Sequence, residues 1–316
     1  MTVARATTRV IEPISLADTV MGGRLVIHLE PNGRADQALV DARRVIARID
    51  RWAARLSRHS AASDLSALNA DPRSSVLVRP TLASALLAGL VAADASEGFT
   101  DITLLDARLA AEGLGGAAAA ISSRANDWQI ENRRRGSALV IRPPDLHFDL
   151  GGVGKGWIAD RALHLMSSWP SVVIDADGDL AIRCAPGECW EIGIDDPREA
   201  STQLTLLRFQ VPSRGIPSRW GVATSGISIH NWTVAGNKTH HLIDPRTGRP
   251  AVTDIVQATV IAGSTLRAEA LAKAAVIAGR DAGFALLERA HVQGAILLTE
   301  SGEVLALPST LALLAT

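Results

Sequence analysis

Tyrosine is missing from the 316 residues, and aromatic residues make up only 3% of them, although tryptophan numbers 7. Cysteine occurs twice, at Cys184 and Cys189, flanking Ala185-Pro186-Gly187-Glu188, which reads as a hairpin turn. A cross-strand disulfide is one reading of the pair. With no histidines nearby it makes a poor metal site, and reduced thiols in a cytoplasmic protein are the favoured reading. No stretch reaches the ~18 uninterrupted apolar residues of a membrane span. The start carries Arg5 and Arg9 without the apolar run of a signal peptide, and no cysteine lies near it to hold a lipid. Neither sign of charge dominates: 32 Lys and Arg stand against 33 Asp and Glu, a net charge of -1. That balance gives no reason to expect nucleic acid or a membrane surface as partner.

What remains is a globular composition, 47% apolar, long enough for a sizeable core. We read residues 1–316 as a single domain. Leu39, Ala42, Ile46, Ile49, Ala53 and Leu56 recur every three or four places, predicting a helix over residues 34–58. Pro80 marks the first turn of a second helix, and Gly98 its end. Short strand-like runs follow, among them residues 138–142 and 147–150, read as a pair, then 172–174, 180–182, 191–194, 204–211, 255–262, 294–298 and 303–307. Helices are expected after residue 156 and over 264–278. The irregular alternation of strands and helices points to an α+β fold with mixed, mostly antiparallel sheets and packed helices.

Four glycines fall within six residues in Asp149-Leu150-Gly151-Gly152-Val153-Gly154-Lys155-Gly156, after an apolar run and before a helical pattern. Glycine permits positive φ and close approach of a backbone or ligand. Amide groups exposed at such a bend, with Lys155 beside them, suit a phosphate-bearing cofactor. Asp149 adds an acceptor for a ligand N–H or O–H. A Walker A loop is excluded because Trp157, not Lys-Ser or Lys-Thr, follows Gly156; the dinucleotide fingerprint is excluded because the glycines are one residue too close.

Other polar clusters have plainer readings. Asp244-Pro245-Arg246-Thr247-Gly248 is a β-turn signal, preceded by His241, a residue able to move protons near neutral pH. Thr224-Ser225-Gly226 either holds phosphate oxygens or ends a strand. Asp175-Ala176-Asp177-Gly178-Asp179 lacks the spacing and closing Glu of a calcium loop and reads as a tight hairpin. Glu269 and Lys273, four apart on a helix, read as a surface ion pair.

Taken together, the segments resemble the ApbE family of FAD:protein FMN transferases. Ser63-Asp64-Leu65-Ser66-Ala67-Leu68-Asn69 is similar to its S-E-L-S-x-L-N, and Gly98-Phe99-Thr100-Asp101-Ile102-Thr103 to its G-x-F/M-D-x-T. Asp149 through Gly156, closing with Asp160, is similar to D-x-G-G-x-x-K-G-x-x-x-D. Ala223-Thr224-Ser225-Gly226 and His241 through Gly248 are similar to A-T-S-G and H-x-I-D-P-x-T-G. The resemblance implies an enzyme that binds FAD and passes its FMN half to a Thr or Ser hydroxyl of an acceptor flavoprotein, releasing AMP with magnesium. It places FAD contacts at Met21, His59, Phe99, Thr100, Asp101, Asp149, Lys155 and Ile243, phosphate contacts at Thr224 and Ser225, and a base at His241. It places metal ligands at the Gly152 carbonyl and at the positions of Glu269 and Lys273, where the family has Asp and Thr. Glu269 can still bind magnesium; an ammonium at 273 would repel a cation or replace it as charge carrier. Lys273 therefore supports a second reading, a relative that binds FAD without transferring it.

Overall fold

Short, largely apolar strands build the central element of the molecule, a computed structural model that describes residues 2–4, 13–20, 22–114, 123–199, 202–228, 231–234 and 237–315. Among these residues, eight antiparallel strands form one sheet. Their spatial order is Val304–Ala306, Gly294–Thr299, Ile255–Ala262, Ser218–Gly226, Asp179–Cys184, Val172–Ala176, Gly23–Leu29 and Ile14–Val20. Side chains alternate across a strand, so Ile174 and Ala181 join Leu25, Ile27 and Leu29 on one face. Val173 and Ile182 join Val222 and Ile261 on the other. The class is α+β, as the sequence predicts.

The first face carries the helices: α1 (Ala35–Leu56), α2 (Asp64–Asn69), α3 (Pro80–Ala95), α4 (Leu105–Ala111), α5 (Gly154–Leu165), α6 (Thr265–Ala278) and α7 (Arg280–Arg289). A small sheet of Ser75–Val78, Ala138–Ile141 and Gln129–Asn132 packs among them through Val76, Val78, Ala138 and Val140. The second face is covered by a three-stranded sheet of Thr2–Ala4, Cys189–Asp195 and Gln203–Gln210, filled by Trp190, Ile192 and Phe209. No helix among the described residues is long and apolar enough to cross a membrane.

Helix α6 is apolar nearly all round, as suits a helix buried on all sides. Ala268, Ala270, Leu271, Ala272, Ala274 and Ala275 are buried. Its first turn is capped from a distance: Asp160 on α5 accepts the N–H groups of Thr265 (2.9 Å) and Leu266 (3.0 Å), while Ser264 accepts that of Arg267 (3.3 Å). Gly221 makes room for this start, since a Cβ there would lie 2.1 Å from the Ser264 and Thr265 backbone.

Three local expectations are corrected. Residues 147–150 form no strand: the Asn69 amide takes the partner's place, accepting from Phe148 N (2.9 Å) and donating to Phe148 O (2.8 Å). The segment between Cys184 and Cys189 is no hairpin, because the two flanking strands belong to different sheets and the turn carries the chain from one to the other. Both cysteines are buried thiols rather than a disulfide. Glu269 and Lys273 are not a surface pair; Glu269 is buried and Lys273 half-buried. The Asp175–Asp179 hairpin is present, with Asp177 (φ 56°) and Gly178 (φ 90°) in the left-handed region at its tip.

Arg142, 2% exposed, fixes the approach to the glycine-rich bend. Its guanidinium donates to four carbonyls: Pro143 (2.8 Å), Pro144 (2.7 Å), Leu68 (2.6 Å) and Asp71 (2.9 Å).

Candidate active site

The bend at 149–156 turns from extended chain into α5 at one end of the main sheet. None of Gly151, Gly152, Gly154 and Gly156 has a positive φ. Close packing is what calls for glycine here. A Cβ on Gly156 would lie 2.8 Å from the Leu266 backbone and 2.9 Å from the Glu269 carboxylate. A Cβ on Gly152 would lie 2.2 Å from the Lys273 Nζ. Several amides expected to face a ligand are used within the protein. Gly151 N donates to Asp149 Oδ1 (2.9 Å), Gly154 N to Leu150 O (2.8 Å) and Gly156 N to Glu269 Oε2 (2.8 Å).

Below the bend lies a cluster of opposite charges. Lys155 forms an ion pair with Asp179 Oδ2 (3.0 Å) and donates to Asp177 O (3.4 Å). Burial disfavours its charge, but the Asp179 and Glu269 carboxylates outweigh it and lift its pKa. Burial pushes the Asp179 carboxyl up against the opposing pull of Lys155. Glu269 is pushed up to about 7 by burial and by Asp179, with Lys273 and Lys155 working the other way. Burial lowers Lys273 despite Glu269, Asp179 and Asp149. The Asp177 side chain also packs on Gly23 and accepts from Arg24 N (3.3 Å), so the start of the Gly23–Leu29 strand, next after Ile14–Val20, joins this end of the sheet. Met21, between these two strands in sequence, lies outside the described residues.

The other motifs converge on the bend. Asp149 N donates to Ile102 O at 2.8 Å, which sets the 99–103 turn beside it. Thr100 is buried, and its hydroxyl donates to Ala270 O on α6 (2.9 Å). Asp101 holds the turn by accepting from Thr103 N (2.8 Å) and Thr103 Oγ1 (2.9 Å). Phe99 lies under the Arg246 guanidinium, 5.0 Å from the ring centre, and Ile243 packs on Leu104 and Ala107. Glu112 ties Arg58 and Arg108, each at 2.6 Å; Arg58 reaches toward Asp149 (4.0 Å) and Arg108 donates to His241 O (3.4 Å). His59 is exposed next to Arg58.

Of the two adjacent histidines, His240 is clamped. One ring nitrogen faces Ala251 O (3.0 Å), and the other accepts from Leu242 N (3.2 Å). Burial lowers its pKa, against the raising pull of the Ala251 carbonyl. His241 is half-buried. Thr224 and Ser225 stand at the end of the 218–226 strand, past the register of Val222 with Leu180, on the same sheet end as the Asp177–Gly178 tip. Thr224 shares its hydroxyl with Thr259 (2.8 Å), and no hydrogen bond among the described residues joins either residue to the bend.

A model of the ApbE family matches residues 21–297. The chain belongs to the ApbE family. Among curated relatives, the FAD:protein FMN transferase of Salmonella typhimurium is 31% identical over 145 residues, 45% of this chain and 39% of that protein. That of Treponema pallidum is 30% identical over 154 residues, 45% and 41% of the two chains. The matches thus span less than half the length of these relatives. The ApbE protein of Thermotoga maritima superposes with a TM-score of 0.80 at 21% identity, covering 96% of this chain and 100% of that one. The flavin transferase ApbE of Vibrio cholerae gives 0.74 at 24%, covering 96% and 99%. At these identities the superpositions establish a shared fold.

Two groups of this ApbE-family site were not singled out from the sequence. Asp179 was visible inside an Asp-rich turn, but nothing local indicates that Lys155 closes on it. Arg58, Arg108 and Glu112 carry no motif at all. The expected metal set does not fit a divalent cation, which takes oxygen ligands. Gly152 faces the Lys273 ammonium, Glu269 is turned to Gly156 N, and no group of three His, Cys, Asp or Glu able to hold a metal occurs among the described residues.

Proposed function

We propose that this chain is a flavin transferase that binds FAD and moves its FMN half onto a Thr or Ser hydroxyl of an acceptor flavoprotein. The hydroxyl oxygen would form a bond to the phosphorus bearing the riboflavin chain, the bridging P–O bond would break, and AMP would leave. His241 would take the hydroxyl proton. Asp101 and Asp149 would accept from FAD, beside Phe99, Thr100, Ile243, His59 and Met21, with Thr224 and Ser225 toward the phosphates. The observation that carries this reading is the convergence of the 99–103 turn, the 149–156 bend and α6 through direct hydrogen bonds, with the 241–246 turn brought in by Arg246 over Phe99 and by Arg108 on the His241 carbonyl. Phosphoryl transfer depends mainly on such positioning and on charge. The names of the curated relatives support it, and the match over 21–297 supports treating the chain as one unit.

The reading needs no step through magnesium, since an ammonium stands in the expected ligand set. The test is incubation with FAD and candidate flavoprotein domains from the same genome, with the acceptor weighed by mass spectrometry. A gain of one FMN group less water is expected. FAD binding without a gain on any acceptor would replace this reading with that of a non-catalytic flavin binder.

A further inference from the structure

Lys273 enters the site from α6, and its ammonium lies against the Gly152 backbone. Four charged groups face it: Glu269 one turn earlier on α6, Asp179 from the main sheet, Asp149 from the bend, and the like charge of Lys155 on α5. The two nearby lysines differ. Lys155 is closed on Asp179 at 3.0 Å. No carboxylate among the described residues reaches ion-pair distance of Lys273. Glu269 instead spends an oxygen on Gly156 N, and Asp149 one on Gly151 N. Lys273 keeps part of its surface exposed, and among the described residues no carboxylate is closed on its ammonium at the bend.

We propose that the Lys273 ammonium is the site's built-in cation: it binds the diphosphate of a flavin dinucleotide against the 151–156 bend, so that binding requires no divalent metal. The proposal rests on the reading of the site as an FAD site. An ammonium is a compact charge with three donors, suited to phosphate oxygens. Its fixed place on a buried helix means that little ordering is needed on binding.

The experiment titrates the full chain with FAD, and separately with riboflavin, in EDTA and in millimolar magnesium. It also follows manganese binding by electron paramagnetic resonance. The expected result is the same FAD affinity in both buffers and no bound manganese, with or without FAD. Lys273→Met should weaken FAD binding roughly tenfold to a hundredfold, the size of a lost charge-assisted contact. Riboflavin, which has no phosphate, should bind Lys273→Met as it binds the wild type, and Lys273→Arg should keep most of the FAD affinity. Manganese bound by the wild type, a tenfold gain in FAD affinity with magnesium, or FAD binding unchanged in Lys273→Met would each overturn the proposal while leaving the FAD reading intact. The first two arms decide the matter even if Lys273→Met does not fold. Absence of FAD binding to the wild type would overturn both.

Discussion

At Gly156 a single hydrogen atom stands where any other residue would place a methyl group into the Leu266 backbone. Gly156→Ala should cost about 1–3 kcal/mol, the range for overpacking a tight contact, measured by urea unfolding. The Asp149–Gly156 stretch is visible in the sequence as an unusual run of glycines, yet its reason is not. Glycine suggests free amides and positive φ, whereas the partners that demand it, Leu266, Glu269 and Lys273, lie more than a hundred positions away. His241 shows the same limit. The sequence sets His241 in a motif, but the bonds that clamp its neighbour His240 to Ala251 and Leu242 have no local signature. His241→Asn should keep FAD affinity and lower transfer to an acceptor by about 10²–10⁴, as for loss of a general base, measured by the mass assay above.

Among the elements, α6 depends on a residue outside itself. Asp160→Ala removes the acceptor of two N–H groups and should lower stability by about 1–2 kcal/mol, with Asp160→Asn losing less because it keeps one oxygen. The helix is expected over 264–278, and Asp160 is marked by a motif. Their connection is not legible, because a cap 105 residues upstream has no local signature. The Gly23–Leu29 strand carries a pH dependence. His28 accepts or donates a hydrogen bond with Ser15 (2.7 Å), and burial, helped by Arg24, holds its pKa down to about 4 from 6.5. The unfolded chain therefore binds the proton more readily than the folded one. The stability this supplies is present above pH 6.5 and is lost as pH falls toward 4. The loss should be about 1–3 kcal/mol. Denaturant titrations across that window should show the slope in the wild type and its reduction in His28→Gln.

For the molecule as a whole, the main sheet separates two cores with different duties. One face supports the helices and, at one end, the candidate site; the other is sealed by the small sheet around Trp190, which is 1% exposed and donates to Arg183 O at 3.2 Å. Trp190→Ala should cost about 3–5 kcal/mol while leaving FAD affinity unchanged at temperatures where the protein stays folded, measured by thermal unfolding and flavin titration. Short apolar runs make most strands of the two sheets legible, but Thr2–Ala4, Ile14–Val20 and Ser218–Gly226 are not among them. Which sheet each strand joins was not legible, and the turn between Cys184 and Cys189 shows why: a short loop with Pro and Gly looks alike whether it reverses the chain or passes it to another layer.

Arg142 gives the approach to the bend an uncommon kind of anchor. All four of its acceptors are peptide oxygens, so nothing in the joint can be neutralised by acid or screened away by salt as an exposed carboxylate partner would be. A buffer harsh enough to loosen the surface ion pairs would therefore leave the chain entering Asp149 still clasped. A lysine in its place, with three donors for four oxygens, would leave one of them stranded.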